Sequence, residues 1–318
     1  MSIDDSRPAV SVLVPAKDEA ENLPLFMQLC DEAFRARTEQ YEVIVIDDGS
    51  TDGTAAVLHT LAAKYPFLRV VRHRGQRGIA DALRSGFLAA RSDILVFYPA
   101  DLQFKPEDIP RLVAPILAGE SDMVTGYKQG AYEKAFVSGI YNSLSRTLFH
   151  VPVRDLNNVK AYRREIMEDL PARPDWHRYM IVLAVAKGYT VTEIPVPLYP
   201  RHAGKSKFGL SRIPVGVLDM LSVWFELRFG QKPLLAFGML GAALFAVGFL
   251  SGVANMVMIA TNHGLFAVRS VWTIIQTCLV LGSIFFATGL LGEQVAVLRA
   301  EQRELRRLVD EQRAPRSR

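Results

Sequence analysis

Two long apolar runs near the carboxyl end, residues 233–260 and 271–292, constrain this chain more than any other feature. Neither contains Lys, Arg, Asp or Glu, and a membrane-spanning helix needs only about 20 apolar residues. Core helices of soluble proteins rarely run so long without a charge. The ten residues between the runs, 261–270, permit only a tight hairpin. The pattern predicts two spanning helices behind 232 residues that read as a soluble enzyme. A catalytic domain is thereby set beside a bilayer, where a lipid is within reach as substrate.

Basic residues near the helix ends predict the orientation. The connecting loop carries Arg269 alone, whereas Arg201, Lys205, Lys207, Arg212, Arg228 and Lys232 precede the first run, and seven arginines follow residue 298. The positive-inside rule then puts the large domain, both termini and the tail in the cytoplasm, anchored in the cytoplasmic (inner) membrane. Residues 1–8 are polar and show no cleavable signal peptide. The two cysteines, Cys30 and Cys278, fall in different regions and exclude a disulfide framework. A net charge of +4 suits an anionic lipid surface, and with two spans present no nucleic-acid partner is needed to explain it.

The first hundred residues alternate apolar strands with helical stretches. Ala9 to Val14 form a strand stopped by Pro15; Asp18 with Glu21 reads as a capping box opening a helix. Strands follow at 41–47, 68–72 and 94–98, with helices at 54–65 and 79–90 between them. Apolar strands separated by helices indicate a mostly parallel sheet covered on both faces. Beyond Asp101 the pattern loosens into a helix at 106–118, a strand at 122–126 and an amphipathic helix at 135–149. Residues 191–198, interrupted by Pro195 and Pro197, suit only an edge strand or an extended segment. Residues 209–229 carry apolar positions at helical spacing, fitting either an interfacial helix or one packed on the soluble domain. The Arg- and Glu-rich tail reads as a solvated helix.

In a parallel α/β sheet, ligands bind beyond the carboxyl ends of the strands. Acids, glycines and basic residues cluster at four such ends: 15–19, 47–52, 73–78 and 101–103. One such cluster is ordinary turn chemistry; four make a cleft. The segments Val14-Pro15-Ala16-Lys17-Asp18-Glu19, Asp47-Asp48-Gly49-Ser50-Thr51-Asp52, residues 78–86, Asp101-Leu102-Gln103 and Arg201 to Lys207 resemble the ordered motifs of family 2 glycosyltransferases with the GT-A fold. The Asp-Leu-Gln segment, the Gly204-Lys205-Ser206-Lys207 loop and Glu293 closing the second span narrow the resemblance to the polyprenyl-phosphate branch. That branch includes dolichyl-phosphate mannose synthases and bacterial undecaprenyl-phosphate sugar transferases.

The resemblance implies roles. Pro15, Ala16, Glu19 and Asp48 line the base and ribose of a nucleotide sugar; Asp47 instead ends its strand. Arg74 and Gly78, ahead of a helix, face the diphosphate, as do Arg201 and Lys207 in a loop that closes over it. Asp101 holds Mg2+ or Mn2+, with Gln103 as a neutral oxygen ligand. Family members usually present Asp-Ala-Asp there, whereas this chain has Pro99-Ala100-Asp101, so the metal rests on a single carboxylate. Lys128, Lys134 and Ser138 occupy the acceptor side, with Asn142 fixing the same helix, and Asp155 is a catalytic positioner near the reacting centre; separately, His177 in the polar-aromatic cluster 176–179 is placed to touch the sugar or the acceptor phosphate. A polyprenyl monophosphate is already anionic at neutral pH, so inverting displacement by a phosphate oxygen needs no strong base.

The expected architecture is therefore a GT-A domain over residues 1–208, a juxtamembrane helical region at 209–232, a transmembrane hairpin at 233–292 and a basic tail at 293–318. The expected activity moves a sugar from a UDP- or GDP-sugar to a polyprenyl phosphate. A lipid acceptor without phosphate, or a scaffold that binds the donor without turnover, are the alternatives. Gly238, Gly241, Gly248 and Gly252 offer small-residue faces, either for the hairpin itself or for a homo-oligomer.

Overall fold

The computed structural model describes residues 8–129, 145–149, 151–156, 158–170, 176–203, 213–261 and 268–313. It divides into two units, residues 1–217 and 218–318. In the first, strands β1 (Val10–Ala16), β2 (Tyr41–Asp47), β3 (Leu68–Arg72), β4 (Ile94–Phe97), β5 (Met123–Gln129), β6 (Lys160–Arg163) and β7 (Val191–Pro197) form one sheet, ordered β3-β2-β1-β4-β6-β5-β7. The first four strands in that order are mutually parallel, β6 runs antiparallel to both its neighbours, and β5 pairs in parallel with β7. The strand–helix alternation predicts the mostly parallel sheet, the resemblance implies its GT-A-like type, and the antiparallel β6 makes it mixed.

Every residue of β2 is buried, as expected of an apolar, β-branched strand covered on both faces. Helices α1 (Leu23–Arg35), α2 (Thr54–Lys64), α3 (Ile79–Ala89) and α4 (Ile109–Leu117) connect or cover the strands. In α1, Leu23, Phe26, Met27 and Cys30 are buried; their spacing places them on one helical face, turned inward. Helices α5 (Arg164–Asp169) and α6 (Trp176–Ala186) follow β6.

Three local expectations need correcting. Pro15 does not end β1, which pairs with β2 as far as Ala16; β4 reaches only to Leu13, so the proline ring lies where β1 has a single partner. Asp18 is not a helix cap: α1 begins at Leu23 behind Asn22, and Asp18 adopts a left-handed φ of 55°. Its carboxylate instead accepts the Thr51 amide at 2.8 Å, tying the end of β1 to the turn after β2. The strand expected at 122–126 runs from Met123 to Gln129, and its partner β6 was not expected, having no apolar run of its own. The helix expected at 135–149 lies outside the described residues except at 145–149, which are helical. Residues 191–197 do form a strand at the sheet edge.

Helix α7 (Ile213–Phe229) crosses the division between the units. The second unit contains α8 (Pro233–Ala260) and α9 (Val268–Arg313). Both contain segments long and apolar enough to cross a membrane, Pro233–Ala260 and Val271–Gln302. The helices meet along glycines: a Cβ built on Gly241 would lie 2.7 Å from the Gly282 carbonyl oxygen, and one on Gly282 would lie 2.8 Å from that of Gly241. Hairpin packing therefore uses part of the small-residue face. Glu293 of α9 accepts the Leu234 amide at 3.3 Å, a carboxylate at the electropositive start of α8. The expected solvated tail is no separate element, because α9 continues unbroken to Arg313.

Candidate active site

The carboxyl ends of β1, β2, β3 and β4 lie along one edge of the sheet. On this edge the turn after β2 packs tightly against the loop after β3. Gly49 has φ 67°, and a Cβ there would come within 2.5 Å of the Gly75 backbone, so only glycine fits. Asp48 is turned toward that loop. Its carboxylate accepts the Arg77 and Gly78 amides at 2.8 Å each and contacts His73 Nδ1 at 2.8 Å. His73 Nε2 meets the Ser85 hydroxyl at 2.9 Å. Burial pushes the Asp48 pKa upward, but the His73 contact and the two amides outweigh it and hold the group below its ordinary value. Asp48 thus fixes the start of α3, where Gly78 is the cap with φ 94°. Arg74 is exposed on the same loop.

Asp47 is fully buried; it accepts the Ser50 amide at 2.9 Å and pairs with Arg72 at 3.3 Å, a strand-ending role as its position suggests. Pro15 and Ala16 close β1. Glu19 accepts the Asn22 side-chain amide at 2.6 Å, while its own amide donates to the Thr54 hydroxyl.

Asp101 follows β4. Its Oδ2 lies 2.9 Å from Arg201 Nη2, and the same nitrogen donates to Gln103 Oε1 at 3.1 Å. Leu102 between them has φ 58°, a conformation rare for a leucine and characteristic of functional turns. Burial raises the Asp101 pKa, against the opposing effect of the Arg201 charge. The stretch holding Arg201 spans the cleft: the Tyr199 amide donates to the Gln103 carbonyl at 2.9 Å, and Asn22 reaches the Ala203 carbonyl at 3.5 Å. Lys207 and the rest of the basic loop lie outside the described residues.

Two oxygens of different side chains thus converge on one cationic nitrogen. A divalent ion that favours oxygen ligands fits the same place. Among the described residues no three His, Cys, Asp or Glu side chains gather as a ligand set, so its remaining ligands would be diphosphate oxygens and water.

Of the remaining candidates, Lys128, Asp155 and His177 lie around one further residue, Lys160. Lys128 on β5 pairs with Asp155 at 3.1 Å, so two residues singled out for different tasks are one ion pair. Lys160, at the start of β6, is almost wholly buried and donates to the carbonyls of Leu156 at 3.2 Å and His177 at 3.4 Å. Burial lowers its pKa to about 8, with Lys128 adding to that and Asp155 opposing it. Burial likewise lowers the His177 pKa to about 3, so its ring is neutral at physiological pH. Its Nδ1 is buried without a hydrogen-bond partner. Lys134, Ser138 and Asn142 lie outside the described residues. Sequence reading missed Lys160 and Asn22 and held His73 only as the first residue of the 73–78 cluster.

The sheet, its flanking helices and the strand-end cleft define a GT-A-like fold. Residues 11–155 match the family model described as Glycosyl transferase family 2, so this stretch is a family 2 glycosyltransferase domain. Its relatives include the undecaprenyl-phosphate 4-deoxy-4-formamido-L-arabinose transferase of Photorhabdus laumondii, 28% identical over 296 residues and matched over 90% of this chain and 88% of the relative. Another is the dodecaprenyl-phosphate galacturonate synthase of Rhizobium johnstonii, 29% identical, matched over 76% of this chain and 74% of the relative. Among solved structures, glucosyl-3-phosphoglycerate synthase from Mycobacterium tuberculosis in complex with Mn2+, UDP and glucosyl-3-phosphoglycerate superposes with a TM-score of 0.55 at 20% identity, over 69% of this chain and 80% of that one. That likeness concerns the fold alone.

Proposed function

We propose that this enzyme transfers a sugar from a nucleoside diphosphate sugar to a polyprenyl phosphate, with inversion, at the cytoplasmic face of a membrane. The observation that carries the reading is the convergence of Asp101, Gln103 and Arg201 at the end of β4, in a chain whose relatives act on undecaprenyl and dodecaprenyl phosphates. The two apolar helices supply the means of meeting a lipid-borne acceptor.

Asp101 and Gln103 present their oxygens to Mg2+ or Mn2+, which when bound supplies positive charge to the diphosphate leaving group. Arg201, permanently charged, leaves these oxygens and turns to the diphosphate as the donor binds; Lys207 joins it. Pro15, Ala16 and Glu19 border the nucleoside, and Asp48 holds the Arg74–Gly78 loop in shape beside the diphosphate. Lys128, with Lys134 and Ser138, receives the acceptor phosphate, which Asp155 orients through Lys128. The neutral His177 ring excludes water more than it binds charge. The chain contributes position and charge neutralisation rather than a strong base.

The test uses purified protein, undecaprenyl phosphate and a panel of radiolabelled UDP- and GDP-sugars with Mg2+, Mn2+ or EDTA. Label should enter the lipid phase with one donor, and Asp101→Ala should lower that transfer by at least about a hundredfold, the scale seen when one electrostatic stabiliser is removed. Donor binding without transfer under every condition would overturn the reading in favour of a scaffold.

A further inference from the structure

We propose that Lys160 is a positioning residue for the acceptor: its buried ammonium joins the Leu156 carbonyl to the His177 carbonyl, clamping the loop that carries Asp155 to the first turn of α6 and presenting the Asp155–Lys128 pair to the incoming phosphate. The proposal deepens the transferase reading and rests on it.

The geometry points to the charge rather than to packing. Lys160 is 2% exposed and lies among the largest fully buried side chains of the molecule. A methionine of similar length would fill that space without the cost of desolvating an ion. What the ammonium adds is donors. One goes to Leu156, the residue immediately after Asp155, at 3.2 Å, and another to His177 at the start of α6 at 3.4 Å. The Phe97 ring of β4 lies beneath it, 6.0 Å from its centroid. Two backbone carbonyls from separate segments, those of Leu156 and His177, are thereby held to one atom. Asp155 in turn meets Lys128 at 3.1 Å, and Lys128 is 20% exposed, so its head group can be approached.

The same arrangement sets the charge of the cluster. The titratable groups that act on Lys160 are Asp155 and Lys128, while Lys160 and Arg178 act on His177. With His177 neutral, two lysines against one carboxylate leave a net positive charge, the sign that a phosphate monoester requires. Deprotonating Lys160 cancels that charge and removes the clamp's strength together, since a neutral amine is a weaker donor to both carbonyls. Its pKa of about 8 places the change within reach of ordinary assays.

The experiment measures initial rates with undecaprenyl phosphate as the varied substrate between about pH 6.5 and 9.5, a range in which a lipid monophosphate with a second pKa near 6 is already largely dianionic. Wild type, Lys160→Arg and Lys160→Met are compared, with donor affinity and thermal midpoint measured at each pH. The acceptor KM of wild type should rise severalfold, with its midpoint near pH 8. Lys160→Arg, always charged, should keep a low KM and lose that rise. Lys160→Met should show an acceptor KM raised about tenfold at neutral pH, flat with pH, at little-changed donor affinity.

A flat wild-type acceptor KM across the range overturns the proposal even if both variants fail to fold. So does a folded Lys160→Met enzyme with the wild-type profile. If wild type transfers no sugar to the lipid at all, the transferase reading fails first and takes the clamp with it; transfer with a flat profile removes the clamp alone.

Discussion

At the scale of single residues, burial decides what several titratable groups can do. His177 illustrates this: an imidazole beside Lys160 and Arg178, largely removed from water, is depressed to about 3. The unfolded chain takes up its proton near pH 6.5 and the folded one only near 3, so below 6.5 the unfolded state binds more protons and stability decreases as the pH is lowered. The contribution is fully present above pH 6.5 and is lost progressively toward pH 3, with a slope of up to about 1.4 kcal/mol per pH unit. His177→Gln should flatten the fall in thermal midpoint between about pH 6 and 4. An equal acid dependence in wild type and variant would show that the ring ionises freely in the folded protein. Asp101 is the complementary case, a carboxyl raised by burial and restrained by Arg201, so losing that guanidinium should raise it further.

The residue scale also shows what sequence reading can reach. Asp101, Gln103 and Arg201 were legible as separate motif members, and the fold brings all three to one point. Lys128 and Asp155 were legible too, but not as partners. Asp48 carries its charge to the expected place, yet spends it on the amides of Arg77 and Gly78. Lys160 escaped notice because nothing local distinguishes a clamp from a solvated lysine: its two acceptors are backbone carbonyls, one of them 17 residues away.

At the scale of elements, strands with apolar, β-branched runs announced themselves, and β1 to β4 emerged close to their expected bounds. Strand β6 did not. Its four residues, Lys160–Arg163, contain two basic side chains and no periodicity, and it is made a strand by antiparallel partners on both sides. Tertiary pairing overrode weak local preference. The capping box at Asp18 failed for the converse reason, because a local signal was outcompeted by a long-range bond to Thr51. The hairpin gives the sharpest prediction at this scale. The backbones of α8 and α9 touch at Gly241 and Gly282, leaving no space for a side chain. Gly241→Leu should force the helices apart and lower the thermal midpoint in detergent, whereas Gly252→Ala, whose added Cβ would meet Ile275 at an ordinary 3.8 Å, should leave it nearly unchanged. Equal stability of the two variants would mean that the helices do not pack along this line.

For the whole molecule, the distribution of basic residues around the apolar helices leads to a topological expectation. Reporter fusions at the amino and carboxyl termini should both report the cytoplasm, and one inserted within residues 262–267 should report the opposite side. Termini on opposite sides would remove the hairpin arrangement and, with it, the proposed route by which the acceptor phosphate reaches the cytoplasmic cleft.

Helix α9 carries a further implication in its length. Its 46 residues, at 1.5 Å each, make a rod of about 70 Å, more than twice the roughly 30 Å of bilayer hydrocarbon. Once its apolar part is immersed, the remainder must stand clear of the lipid by several helical turns. Unlike a loose tail, such a spar cannot fold back along the membrane plane without breaking. Its arginine-rich end is therefore held at a set height above the surface, as if on a gauge.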